Sequence, residues 1–402
     1  MRLALLAPFL LISVAAASYN RPDGNGAEFS GTHNKLAPNS LLLDDAFIDD
    51  ARNAINLLYN RQYEASLASL ESWQSQHPDH PVWLLWESIE AWWPVLVDLE
   101  NTSYDDDFLE VSNDVIDHCN RLLKNDPDNL DARIVRSIMY GQVARFHSNR
   151  HSWYRSFRNG RRALRDFFRI EETHPEIPDL NFGIGMYRYF AAFLLDEYPL
   201  ARPIGWMLPR GDRQEGLERL KDAADESIFM EPEALFFLGH IYLHFEDQPD
   251  MALEYLERLY REFPDNTYYR RLYVRSHFHL MQFDEAREAI AESLDHWGDS
   301  RDHAVRVMRE ELLTIRGQIH FHYMRYEAAR EDLVMAVNES ESLRPFATRR
   351  NLITALYYLG EISVREGRRD DARYFFNRAA TSDSEHRYGK QSLEALERYQ
   401  LK

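Results

Sequence analysis

An all-α solenoid, a stack of antiparallel helix pairs, is the fold class this sequence predicts, and three observations predict it. From Asp44 to the C-terminus, apolar residues recur at three- and four-residue spacing, the period of a helix with one buried face. Pro, Asn, Asp and Gly interrupt that pattern at intervals, where helices end. Only 16 Gly and 16 Pro occur in 402 residues, few for a protein of strands and tight turns. Hydrophobic residues make up 45%, enough to bury a continuous core.

Taken from the start, residues 1–17 read as a signal peptide. Arg2 supplies the positive end, Leu3 to Ala17 form the apolar run, and Ala15-x-Ala17 is the cleavage signal. Residues 18–42, rich in Asn, Gly, Ser and Pro, form a flexible leader. About eight helix pairs follow, over 43–77, 81–126, 130–174, 179–228, 232–263, 266–297, 302–340 and 345–382. A polar-faced helix over 385–400 closes the stack as a cap, which a repeat array needs to stay soluble. Two regions result: 43–228, with degenerate repeats and insertions, and 229–402, with more regular ones and the cap.

The regular region repeats a pattern. Leu356-x-x-Leu359-Gly360 precedes Ala372-x-x-x-Phe376, and Leu235-x-x-Leu238-Gly239 precedes Ala252-x-x-x-Leu256. Gly317 with Ala329 and Leu333 forms a third copy. Ala286 with Ile290 keeps the second half of a fourth, and Ala163 with Phe167 marks an earlier one. A small residue is needed where two helices cross closely, and a large one beside it fills the gap. Gly239, Ala252, Ala286, Gly317, Ala329, Gly360, Ala372 and Phe376 are the expected repeat-packing residues. Ala252 and Ala286 stand 34 residues apart, the tetratricopeptide period. The later spacings of 43 residues require longer helices or loops. These residues resemble the tetratricopeptide repeat signature over most of 43–382. More narrowly, Phe182-Gly183-Ile184-Gly185 with Gly211-Asp212-Arg213-x-x-Gly216-Leu217, within 179–233, resembles the tetratricopeptide repeat 39 group. The family resemblance implies a scaffold or adaptor whose first helices line a concave, partner-binding groove.

Catalytic signatures are missing. There is no H-E-x-x-H, no phosphate-binding glycine loop ending in Lys-Ser or Lys-Thr, and no G-x-S-x-G. We therefore expect no enzyme activity, no cofactor and no metal. Histidines four apart, His147 with His151 and His240 with His244, have chelating spacing, but sixteen His spread over many helices produce such pairs by chance. Cys119, the one cysteine, reads as a small buried hydrophobe.

The partner expectation comes from charge. The chain carries a net −19, which repels nucleic acid. Against that background, 141–169 contains eight Arg and one acid, Asp166, with Trp153, Tyr154 and Phe157 interleaved. Guanidinium forks beside aromatic faces suit carboxylates and acidic peptides; internal pairing of these Arg is the alternative. Arg145, Trp153, Arg155, Tyr187, Arg188 and Trp206 are the candidate partner-binding residues. The function expected is that of an exported scaffold, periplasmic or secreted, that binds a protein or peptide, with no transmembrane segment after signal cleavage. An envelope enzyme, or a component that binds a small molecule or substrate, with a pocket in the third and fourth pairs, is the alternative.

Overall fold

The structure is a computed structural model that describes residues 40–197, 211–343 and 349–401. The expected signal peptide, nearly all of the leader, and residues 198–210 with the candidate Trp206 lie outside these residues. Among the described residues there are 18 α-helices, one short 3-10 turn and no strand. The fold is all-α: eight helix pairs, then one closing helix.

By its contacts the chain divides into two units. Unit 1 runs to Trp92 and resumes over Asp106–Glu262; unit 2 comprises Trp93–Asp105 and Phe263–Lys402. Unit 1 begins with α1 (Asp45–Tyr59), paired with a second helix broken at Leu70 into α2 (Tyr63–Ser69) and α3 (Glu71–Gln76). There follow α4 (Val82–Val97), whose residues 93–97 fall in unit 2, with α5 (Asp105–Asn125), α6 (Leu130–Asn149) with α7 (Trp153–Thr173), and α8 (Leu180–Glu197) with α9 (Arg213–Glu226). The pair α10 (Glu231–His244) and α11 (Pro249–Glu262) completes it. Unit 2 holds α12 (Thr267–His279) with α13 (Phe283–Trp297), α14 (His303–His322) with α15 (Tyr326–Ser342), α16 (Arg350–Arg365) with α17 (Arg369–Ser382), and α18 (Arg387–Arg398).

Local chemistry explains the boundaries. Asp44, Asn129, Asp212, Asn266 and Asp302 cap helices by accepting from backbone N–H groups two or three residues on. The turn inside a pair is stereotyped. Arg61, His151, Met281, Met324 and Gly367 all adopt positive φ two residues past the end of a first helix. The next residue then bonds back around the helix end: Gln62 N to Leu57 O at 2.9 Å, Ser152 to His147 at 2.8 Å, Arg368 to Ser363 at 2.8 Å. Gln400 and Leu401 repeat this turn after α18.

Five residues beyond each such turn sits a fully buried small residue: Ser66, Ser156, Ala286, Ala329 and Ala372. In unit 1 the hydroxyls of Ser66 and Ser156 donate to Ala54 O (2.6 Å) and Ala144 O (2.8 Å) on the preceding helix. The crossing residue of the third pair is therefore Ser156, not Ala163, which is only half-buried further along the same helix. A Cβ on Gly239 would lie 2.7 Å from Leu256, one on Gly317 2.6 Å from Leu333, and one on Gly360 2.6 Å from Phe376. In α8 and α9 the approach is backbone to backbone. A Cβ on Gly185 would meet Gly216 O at 2.8 Å, and one on Gly216 would meet Tyr189 N at 2.5 Å. In unit 2 the first helices pack on one another in sequence, α12 on α14, α14 on α16 and α16 on α18. Their apolar faces, with Leu333 of α15, form continuous cores such as Leu313, Leu352, Leu356 and Leu359.

Candidate protein-interaction surfaces

In unit 1 the first-helix residues are engaged with one another. Arg145, on α6, donates to Glu233 of α10 at 3.0 Å. Its guanidinium lies over Phe236 (4.7 Å), Phe237 (5.2 Å) and Trp92 (5.6 Å). Tyr59, on α1, donates to the same carboxylate at 3.4 Å. Burial first, and the Glu233 charge second, push its hydroxyl well above the ordinary tyrosine range. Arg145 thus lies inside the unit, in an aromatic box closed by helices from the first, second, third and fifth pairs. Tyr187 is also buried, edge-on to Phe168. Arg188 is half-buried and lies 3.7 Å from Glu215. Trp83, Trp86, Trp92 and Trp93 are all buried too, so that tryptophan cluster is packing.

Trp153 and Arg155 lie elsewhere, on the exposed face of α7. With 38% of its surface open, Trp153 packs its ring edge-on against His151. Tyr154 is 75% exposed. Arg155, Arg158, Arg161, Arg162 and Arg165 are exposed as well. Tyr154, Phe157, Arg158, Arg161, Arg162 and Arg165 line a groove of about 320 Å³. Positions 154, 158, 161 and 165 fall on one stripe of the helix because they step by three or four. The one acid of the segment's middle, Asp166, is turned inward and is 1% exposed. It holds Arg136 of α6 at 2.7 Å and stands 3.9 Å from Arg133. Arg165 reaches it only at 3.8 Å, and Arg162 lies over Tyr140. Among the described residues no carboxylate pairs with Arg155, Arg158 or Arg161. Burial lowers the His147 pKa, and the charges of Arg155 and Arg158 lower it further.

Residues 246–302, from the end of α10 through α13, match the family model for the tetratricopeptide repeat. That segment carries a tetratricopeptide repeat. Among curated proteins none matches the sequence. Solved structures similar to it include yeast Tom70, at 12% identity and a TM-score of 0.42, over 79% of this chain and 63% of that one. The chain therefore spans less than two thirds of the Tom70 structure. NprR in complex with its cognate peptide NprX is similar at 16% identity and a TM-score of 0.39, over 77% and 81%. A tetratricopeptide repeat protein from Parabacteroides merdae is similar at 13% identity and a TM-score of 0.38, over 75% and 97%.

His240 is bonded to Phe236 O at 2.9 Å and His277 to Gln282 at 2.6 Å. Among the described residues no group of three or more His, Cys, Asp and Glu is placed to hold a metal ion. A polar groove of about 480 Å³ in unit 2 runs along α13, α14 and α15, where Arg316 and Asp332 pair at 2.6 Å beside His320. Cys119 is fully buried in α5, and burial pushes its thiol up to about 12. No described helix is long and apolar enough to cross a membrane.

Proposed function

We propose that this tetratricopeptide chain is an exported scaffold that works without catalysis, holding an acidic segment of a protein partner on the exposed face of α7. One observation carries the reading: a groove of four arginines and two aromatic rings, whose exposed guanidiniums mostly lack carboxylates, in a chain of net charge −19. Like charges three and four residues apart on a helix cost about 0.2–0.5 kcal/mol per pair. Guanidinium forks beside aromatic faces are suited to carboxylate recognition, and an acidic partner offsets that repulsion. The first-helix residues of unit 1, represented by Arg145 and Tyr187, already have partners inside the unit, which favours α7 over the concave face as the docking surface. The Arg2 to Ala17 segment supports export.

Affinity capture from the native cell envelope tests the binding reading, comparing wild type with Arg158→Glu/Arg161→Glu. A partner retained by wild type and lost by the double variant is expected; equal recovery of every partner removes α7 as the docking face. The mature N-terminus, read by mass spectrometry, tests export. A start near residue 18 is expected, and an intact Met1 in the cytosolic fraction refutes export.

A further inference from the structure

The α5 helix, which precedes α7 by one repeat, carries the opposite charge at the corresponding positions. Where α7 has Tyr154, Arg155, Arg158, Arg161, Arg162 and Arg165, α5 has Asp106, Asp107, Glu110, Asn113, Asp114 and Asp117. All five acids of that set are exposed, and among the described residues none of them is in an ion pair. The series continues to Arg169 on α7, which pairs with Glu172, and to Arg121 on α5, which lies against His118.

The two helices are neighbours across α6. Arg136 of α6 donates to Asn120 of α5 at 2.8 Å and to Asp166 of α7 at 2.7 Å. Phe108 near the start of α5 touches Phe146 near the end of α6, beside the turn into α7. Both helices therefore run antiparallel to α6 and in the same direction as each other, near enough that the Asp166 charge of α7 acts on Cys119 of α5. Unit 1 presents an acidic stripe and a basic stripe side by side, and no ion pair joins them among the described residues.

A face of this kind is complementary to itself under a two-fold axis parallel to the helices. That rotation exchanges left for right while keeping helix direction, so each acidic stripe meets a basic one. An isologous contact of this type closes after two subunits. We propose that unit 1 docks on unit 1 of a second copy of this chain, with α5 of each copy lying along α7 of the other. The proposal rests on the reading of α7 as a protein-docking face and names one partner for it. Exposed ion pairs are screened by salt, so the dimer is reversible and ionic-strength dependent.

Sedimentation of the full chain tests this. Wild type is expected to dimerise at low salt and to bind at least about tenfold more weakly when salt is raised from about 0.05 M to about 0.5 M. Arg158→Glu/Arg162→Glu brings the α7 stripe from +5 to +1, and Glu110→Arg/Asp114→Arg brings the α5 stripe from −5 to −1, so each variant keeps one full stripe and nearly cancels the other. Each variant alone is expected to be monomeric, and a one-to-one mixture is expected to form a heterodimer, with helical circular dichroism unchanged throughout. A wild type that stays monomeric at low salt, variants that dimerise as wild type does, or folded variants that fail to associate when mixed would each overturn the proposal. The wild-type salt series decides it even if a variant misfolds. A monomeric wild type that still captures another protein through Arg158 and Arg161 would remove the dimer and leave the α7 docking face standing.

Discussion

Arginine plays different parts in unit 2 and on α7 of unit 1. In unit 2, Arg271 and Arg275 of α12 both bind Glu311 of α14, at 2.7 and 2.6 Å. Arg306 and Arg309 share Glu339, and Arg316 holds Asp332. Arg349 lies between Glu310 at 2.8 Å and Asp98 at 3.1 Å, all three buried. Asp98 comes from the short stretch Trp93–Asp105 that joins unit 2. Burial would raise its pKa, but the hydrogen bonds and charges of His303 and Arg349 bring it below the ordinary range. On α7 the same residue type stands open, because the helix's central acid is committed inward to Arg133 and Arg136. Arginine content alone therefore says nothing about availability. What decides it is whether a neighbouring helix supplies a carboxylate at the facing position.

Four changes would break or sharpen this contrast. The largest effect is expected from Arg349→Met, which strands the buried carboxylates of Glu310 and Asp98. Losing one partner of a buried ionic cluster costs about 3–5 kcal/mol, measurable by urea unfolding of the full chain. Acid titration follows. Burial would raise the Glu311 pKa, but the charges of Arg275 and Arg271 hold it at about 2, below an ordinary value of 4.5. A depressed folded-state pKa contributes stability above the unfolded value and loses it as pH falls. Melting temperature should therefore drop between about pH 4.5 and 2, and Glu311→Gln should flatten that part of the profile. Gly360→Ala should cost about 1–3 kcal/mol, since its methyl would press on the Phe376 ring. The smallest effect belongs to Arg158→Glu/Arg161→Glu, within about 0.5 kcal/mol of wild type or slightly stabilising. A large loss of stability there would show that the α7 arginines hold unit 1 together.

Much of the fold was legible because its causes are local. The helical period and the pairs Gly360–Phe376 and Gly317–Leu333 all lie within one or two elements. The turns were less legible. Only Gly367 advertises positive φ, whereas Arg61, His151, Met281 and Met324 adopt it because the helix-end hydrogen bonds demand it. Ser66 and Ser156 hid two crossings, since a buried hydroxyl bonded to a helix carbonyl replaces the alanine methyl. The candidate surface was half legible. Composition marked the arginine-rich segment, but Arg145 meets its partner Glu233 only through a contact 88 residues distant. The charge reversal between α5 and α7 appears only once both helices are aligned by their first residues, Asp105 and Trp153.

The inert thiol of Cys119 makes the protein a ready substrate for site-directed spectroscopy. With its single native sulfhydryl sealed in the interior and deprotonating only near 12, a cysteine placed at Tyr154 or Asp106 would take a fluorophore or spin label at one chosen point, with no background to subtract.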